Sequence, residues 1–276
     1  MKIQNIHKTI LTASICAAIM TSCGSEKSSE TSSDKDSGAV SVSDLTDVNM
    51  EDFDVEIPEN AVYCQTELVR IKGEPSTIAF NFYDDHDNCI YLYSHPVGDS
   101  ENEFQTTFYC SYSYKYNDDG TISEMNMAMQ DSSPILSEFE YSDDKKLETE
   151  RTYRNDEMWS TAFSELDEHS NPVRCEISYV DNDKLNSVTT YEYEYDSEGR
   201  ILVEKCFSDK SSNNTTKYYT YDANGNMTSL ETQYADMDLT MLTKYTYNSD
   251  NRLIRQEEFT DGEESSYAEY EYEFYN

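Results

Sequence analysis

The chain holds only four histidines, one tryptophan and 20 Lys and Arg, against 56 Asp and Glu, in 276 residues. Each shortage excludes something. So few bases leave a formal net charge of −36, which argues against nucleic acid and against an anionic membrane surface as partners. The histidines offer no zinc or acid–base constellation. His7 lies in an N-terminal leader and His95 stands alone beside Pro96, while His86 and His169 each take the fourth place of a repeated phrase. There is no glycine-rich phosphate loop, nucleophile elbow or metalloprotease helix motif. Acidic pairs such as Asp118-Asp119, Asp143-Asp144, Asp181/Asp183 and Asp236/Asp238 lack the EF-hand and calcium-nonapeptide spacings, and aspartate is in any case a turn former. No catalytic residue, cofactor or metal is assigned, and the chain reads as a non-enzyme.

The first 22 residues differ from the rest. Lys2 and Lys8 precede an apolar run over 9–20, which is too short to span a bilayer and is laid out as a secretory signal peptide. Met20-Thr21-Ser22-Cys23 resembles the bacterial lipobox, and that resemblance implies cleavage before Cys23 and acylation of its thiol. The alternative is an ordinary signal peptide with a chance cysteine. The leader takes two lysines and no acid with it, so the mature chain carries −38. Residues from Gly24 to about Asp47 are Ser-rich and acidic with almost nothing large and apolar, a composition that stays disordered. Some 24 such residues reach roughly 25–30 Å. The expected organisation is a signal peptide over 1–22, a lipidated cysteine and linker over 23–50, and a folded domain over 51–276. The protein is then exported and held at the cell envelope by lipid on Cys23.

What is abundant is tyrosine, and all 24 lie at or after Tyr63. They mark a repeat. Phrases of the form Tyr195-Asp196-Ser197-Glu198-Gly199-Arg200-Ile201 begin at Tyr83, Tyr116, Tyr141, Leu166, Tyr195, Tyr221 and Tyr247, at intervals of 25 to 33 residues. A period of this size means a repeat architecture. Each phrase is a turn, because Asp or Asn in second place can bond the backbone ahead. Gly120, Gly199 and Gly225 supply a positive φ in fifth place, and Asp87 and Asn251 tolerate one. Lys145 and Ser170 depart from the pattern, so looser or different turns are expected there. A second set of turns centres on Asp99, Asp131, Asp156, Asp181, Asp209, Asp236 and Asp261. Each unit is therefore one antiparallel hairpin.

Alternation confirms the strands. Tyr191, Tyr193 and Tyr195 alternate with Glu192 and Glu194, and Tyr270, Tyr272 and Phe274 with Glu271 and Glu273. Such period-two patterning gives one buried and one wet face. Lys72-Gly73-Glu74-Pro75 marks a degenerate first repeat. The fold class is all-β: an antiparallel meander of about 15 or 16 strands, twisted and curled into an open sheet or barrel-like shell with tyrosines inward. A membrane-spanning barrel is disfavoured, since the face opposite the tyrosines carries Glu, Lys and Thr.

The Tyr-x-Tyr-Asp-x-x-Gly-Arg/Asn-hydrophobic pattern resembles the YD (Rhs) repeat. Tyr193 to Ile201 and Tyr219 to Met227 match well, Tyr245 to Leu253 fairly, and the N-terminal copies weakly. The resemblance covers about Tyr83 to Asn276 and implies β-hairpins wound into a spiral sheet, in a family associated with shells around toxins, cell-surface display and carbohydrate. Seven or eight repeats are too few for a closed cocoon, so a short stand-alone lipoprotein form is expected and the shell function is not.

Five cysteines remain beyond Cys16 and Cys23. With a loop at Gly98–Glu101, Cys89 and Cys110 face each other, and a cross-strand disulfide or a pair of buried thiols are both open. The same counting sets Cys175 opposite Thr189 and Thr189 opposite Cys206, leaving those thiols about 10 Å apart and unbonded. Trp159 and any unfilled tyrosine surface could stack on sugar rings, though core is the commoner role. The leading function is non-enzymatic binding of a surface glycan or protein, with the ligand-binding residues unassigned. The alternatives are a passive scaffold pairing through open edge strands, notably Tyr267–Phe274, and a carboxylate-dependent glycoside hydrolase.

Overall fold

The computed structural model describes residues 43–97, 107–209, 214–235 and 237–275. Cys23, Asp99, Asp236 and the leader lie outside them. Sixteen strands follow one another: β1 Tyr63–Ile71, β2 Glu74–Tyr83, β3 Cys89–Pro96, β4 Phe108–Tyr116, β5 Ile122–Met129, β6 Ile135–Tyr141, β7 Leu147–Arg154 and β8 Glu157–Leu166. The second half comprises β9 Pro172–Tyr179, β10 Ser187–Tyr195, β11 Ile201–Ser208, β12 Thr215–Tyr221, β13 Met227–Tyr234, β14 Leu239–Tyr247, β15 Leu253–Thr260 and β16 Glu263–Phe274. Every neighbour in sequence is a neighbour in the sheet, and β16 pairs with β1 to close a barrel. Sixteen strands at a spacing of 4.7–4.9 Å give a girdle of roughly 77 Å, a size at which barrels keep a lumen.

Closure removes one expectation. The segment Tyr267–Phe274 is no open edge: within β16 it pairs on one side with β15 and on the other with β1. Right-handed twist accumulated over many two-stranded units brings the last hairpin back to the first, and the free backbone groups of both ends satisfy each other. Edge-strand assembly therefore has no site here.

Burial tells which face points inward. Glu192, Glu194, Glu271 and Glu273 are exposed, while the alternating Tyr191, Tyr193, Tyr195 and Tyr272 are half-buried. The outer wall carries ion pairs such as Lys115–Glu124 at 2.7 Å, Arg151–Glu140 at 2.9 Å and Arg255–Glu269 at 3.6 Å. It is not the continuous apolar band a membrane barrel presents. Inside, Cys110, Met127 and Ile135 form one buried knot and Ile201, Tyr219 and Met227 another.

One stretch of outer wall is apolar. Leu68, Ile78, Phe80 and Phe82 of β1 and β2 are fully buried there, beneath a strap formed by residues 43–62. Two short 3₁₀ turns, Leu45–Asp47 and Met50–Phe53, shape the strap, with Asp44 and Asn49 capping them. Leu45 and Phe53 are its anchors, and Phe53 meets Phe80 edge-on at 5.4 Å. Leu45 lies within the stretch read as linker but has an apolar wall to bury against.

Candidate lumen and turn rim

All seven phrase anchors fall on the last residue of an even-numbered strand: Tyr83, Tyr116, Tyr141, Leu166, Tyr195, Tyr221 and Tyr247. The phrases therefore crowd one rim of the barrel, and the turns at Asp131, Asp156, Asp181, Asp209 and Asp261 occupy the other. The phrase turn works as a clasp. Asp196 N–H donates to Arg200 C=O at 2.9 Å and Gly199 N–H to Asp196 C=O at 3.2 Å. Asp196 Oδ1 accepts from the backbone N–H of Glu198 and of Arg200 at 2.8 and 2.9 Å. Asp84, Asp167, Asp222 and Asn248 repeat this double acceptance, with every distance between 2.8 and 3.0 Å. The fifth residue is left-handed throughout, from Lys145 at φ 56° to Gly225 at 87°.

The two expected departures part company. Ser170, at φ 67°, closes the same clasp as its glycine counterparts, with Asp167 N–H donating to Asn171 C=O at 2.9 Å. The Lys145 turn is different: Ser142 N–H reaches Leu147 C=O, one residue further on. Its flanking strands lack the register shift that accompanies the other six clasps.

Tyrosine locks four of the clasps to the one before. Tyr114 and Tyr193 donate to the carbonyls of Cys89 and Pro172, and Tyr221 and Tyr247 to those of Ile201 and Met227, each at 2.9 Å. Tyr116 donates to Asp84 Oδ2 at 3.1 Å, and Tyr195 makes the same bond to Asp167. Two histidines complete the pattern. His86 stacks on Tyr116 at 4.3 Å and His169 on Tyr195 at 4.2 Å. Asp84, Asp85 and His86 place three ligand atoms within 4.8 Å of one another, but Asp84 already spends both oxygens on two amides and a phenol. Those residues do not fit a metal without dismantling the clasp.

With the hydroxyls of Tyr114, Tyr116, Tyr193 and Tyr195 tied to the preceding hairpin, the inward tyrosines lie against the wall as strips. Tyr112, Tyr114 and Tyr116 are spaced 6.4 and 6.3 Å apart, and Tyr191, Tyr193 and Tyr195 6.2 and 5.8 Å. Burial raises their phenols well above the usual tyrosine range at Tyr114, Tyr116, Tyr191, Tyr193 and Tyr195. Between the strips the lumen wall is polar. Glu204 accepts from Lys217 at 2.7 Å and from Tyr219 at 3.0 Å, and Glu148 and Glu150 lie on the same inward face as Ser164.

Sequence reading missed a carboxyl at the closing seam. Glu67 of β1 sits opposite Tyr270 of β16, whose hydroxyl lies 3.3 Å from Glu67 Oε1 and 3.4 Å from Gln256 Oε1. Burial pushes the Glu67 carboxyl up. Its recess, shared with Glu258 and Ser266, is about 60 Å³. Nothing local in Thr66-Glu67-Leu68 signals this, since the pairing spans 203 residues.

The cysteine expectations follow the register. Cys110 lies opposite Leu92, not Cys89, and the two sulfurs are not joined. The connection between β3 and β4 is longer than the four-residue loop assumed, which slides the pairing. Cys175 does face Thr189, but Thr189 faces Ser208 and Cys206 faces Tyr191, because the turn holds five residues instead of four and the bulge beside Tyr195 adds one more. Cys175 and Cys206 are unbonded as expected. Burial raises the Cys64 thiol to about 12, so it is an inert core group.

No family model and no curated protein match this chain. Among solved structures it resembles a porin-like protein from Bacteroides uniformis, 13% identical, over 77% of this chain and 96% of that one, with a TM-score of 0.47. It also resembles a chain of the TcdB2-TccC3-Cdc42 structure, 12% identical, over 74% of this chain and 12% of that one, with a TM-score of 0.29. Neither likeness is near enough to carry a function across.

Proposed function

We propose that this chain is an envelope lipoprotein of YD-repeat ancestry, anchored through Cys23, whose barrel binds a glycan without catalysis. The observation that carries the reading is the pair of tyrosine strips inside the lumen. Half-buried rings fixed against a wall offer sugar rings an apolar surface that is already ordered, and the intervening Glu148, Glu150 and Glu204 offer acceptors for hydroxyls. The strap supports one orientation on this reading: Arg70 Nη2 donates to Ser43 C=O at 2.6 Å beside the rim opposite the clasps, which favours a clasp rim turned away from lipid. Against hydrolysis stands the size of the Glu67–Glu258 recess, which has room for a few waters and not for a saccharide.

A glycan array probed with the Cys23→Ser protein tests the binding. Retention of a saccharide by this form, and its loss on Tyr193→Ala or Tyr114→Ala, is the expected result. An array with no retained glycan ends the reading. Mass spectrometry of the mature N-terminal peptide tests acylation separately.

A further inference from the structure

The strongest unexplained group is Arg154, at the end of β7. Of the seven arginines, Arg70, Arg151, Arg174, Arg200 and Arg255 each have a carboxylate within 3.2 Å, and Arg252 lies over Tyr272 and Phe274. Arg154 has no such carboxylate among the described residues, and its Nε is buried with no hydrogen-bond partner. Buried N–H groups are rarely left so. The guanidinium carbon instead lies over the face of Trp159, 3.8 Å from the ring centroid, and Trp159 is braced edge-on by Tyr179 at 5.2 Å. Register puts the arginine at the lumen mouth: Arg154 pairs with Ile135, and Tyr179 with Ser160, both inward-facing. This mouth is on the tether side, beside the Asn155-Asp156 turn.

We propose that Arg154 and Trp159 form a binding site for an oxyanion, a carboxylate or phosphate borne on a saccharide. A guanidinium clamped by its face keeps its N–H edge in one plane, the geometry that takes such a group bidentately. Stacking also fixes the fork in advance, so little side-chain entropy is lost on binding. Arg154 and Trp159 are both only half-buried, which leaves the cluster open to approach from the mouth. The exposed Asp156 and Glu157 on the same hairpin oppose an anion, Glu157 as the cross-strand partner of Arg154, and the expected affinity is accordingly modest and salt-dependent. The site does not depend on the tyrosine strips binding anything.

Trp159 is the single tryptophan of the chain, so its fluorescence reads this site alone. The mature protein is titrated with glucuronate, glucose 1-phosphate, inorganic phosphate and glucose. A saturable fluorescence change with at least one anion and none with glucose is expected. Which anion saturates at the lowest concentration separates a sugar acid, a sugar phosphate and free phosphate. Arg154→Ala should weaken binding at least tenfold. Arg154→Lys keeps charge and stem but loses the fork, and should fall between. Circular dichroism matching the parent shows that the variants fold. No saturable change with any anion, an equal response to glucose, or an unaltered response in both variants overturns the site. A null result here leaves the array experiment on the strips untouched, and the reverse holds as well.

Discussion

Two clasps on the same rim are built from the same parts and end differently. At the first, Asp84 gathers the N–H groups of His86 and Asn88, His86 stacks on Tyr116, and Asn88 Nδ2 donates to the Tyr116 hydroxyl at 2.5 Å. At the second, Asp167, His169, Asn171 and Tyr195 make the same contacts. The rings differ in tilt, 14° at His86 and 35° at His169. The tilted His169 covers the next clasp, with Cε1 only 3.1 Å from where a Cβ on Gly199 would lie. Nothing comes within 4 Å of that point on Gly120. An open recess of about 210 Å³ remains there, lined by Asp85, His86, Asp87, Asn88, Tyr116, Gly120 and Ile122. The repeat fixes the clasp, and one ring's tilt decides whether the rim is filled.

The largest break in this comparison is to remove the carboxylates. Asp84 is buried and Asp167 is half-buried. Asp84→Ala orphans two amides and a phenol and should cost about 2–3 kcal/mol, and Asp167→Ala about 1–2 kcal/mol. Denaturant midpoints at unchanged slope measure both. Equal or negligible losses would mean that the clasps are ornaments on a barrel held by its ladder alone.

The clasp was legible in the sequence because it is local. Tyr195 to Ile201 holds the strand end, the acceptor, the left-handed residue and the inward apolar residue within seven positions. The strands, their faces and a curled sheet of hairpins follow from the same spacing. Closure did not follow, because no single unit states how much twist it adds. Facing cysteines were misplaced for a related reason. A five-residue turn and a bulge beside Tyr195 each move Cys206 by one position relative to Thr189, and the counting assumed a four-residue turn and no bulge. Ser170 shows the opposite error: its side chain is tolerated at φ 67° because Asp167 already over-determines the turn. Glu67 and Arg154 were invisible because the groups that define them come from other strands.

Adding one methyl to each glycine sharpens the comparison. Gly120 and Gly199 both have left-handed φ, 81° and 78°, so alanine should cost about 1 kcal/mol at either through the backbone. Gly199→Ala must also push His169, which is pinned between Tyr195 and the new methyl. It should be the more destabilising of the two in thermal melts, and His169→Ala should erase the excess in the double variant. Equal costs with and without His169 would show that the ring yields freely.

Removing His169 alone should cost less, because its side chain is still one-third exposed and is held mainly by the ring contact with Tyr195. The expected change is about 0.5–1 kcal/mol, with a new recess above Gly199 like the one above Gly120. A crystal structure of His169→Ala that shows Gly199 still covered would assign the difference between the clasps to the backbone and not to ring tilt.

The smallest effect is a pH dependence that the barrel already contains its own control for. The Asp222 carboxyl is held below the usual carboxylate range, first by the Asn226 side-chain amide and then by backbone N–H groups. A lowered folded pKa contributes stability that is present above the unfolded value of about 3.9 and is lost as pH falls through the folded one. The Asn248 clasp makes the same two backbone bonds at 3.0 Å with an amide oxygen, which does not titrate in this range. Asp222→Asn should therefore melt somewhat below the parent at pH 7, because it loses the oxygen that accepts from Asn226 Nδ2, and lose less on descent from pH 5 to pH 2. Parallel curves for the two proteins would show that Asp222 keeps its ordinary pKa and that acid acts on the barrel elsewhere.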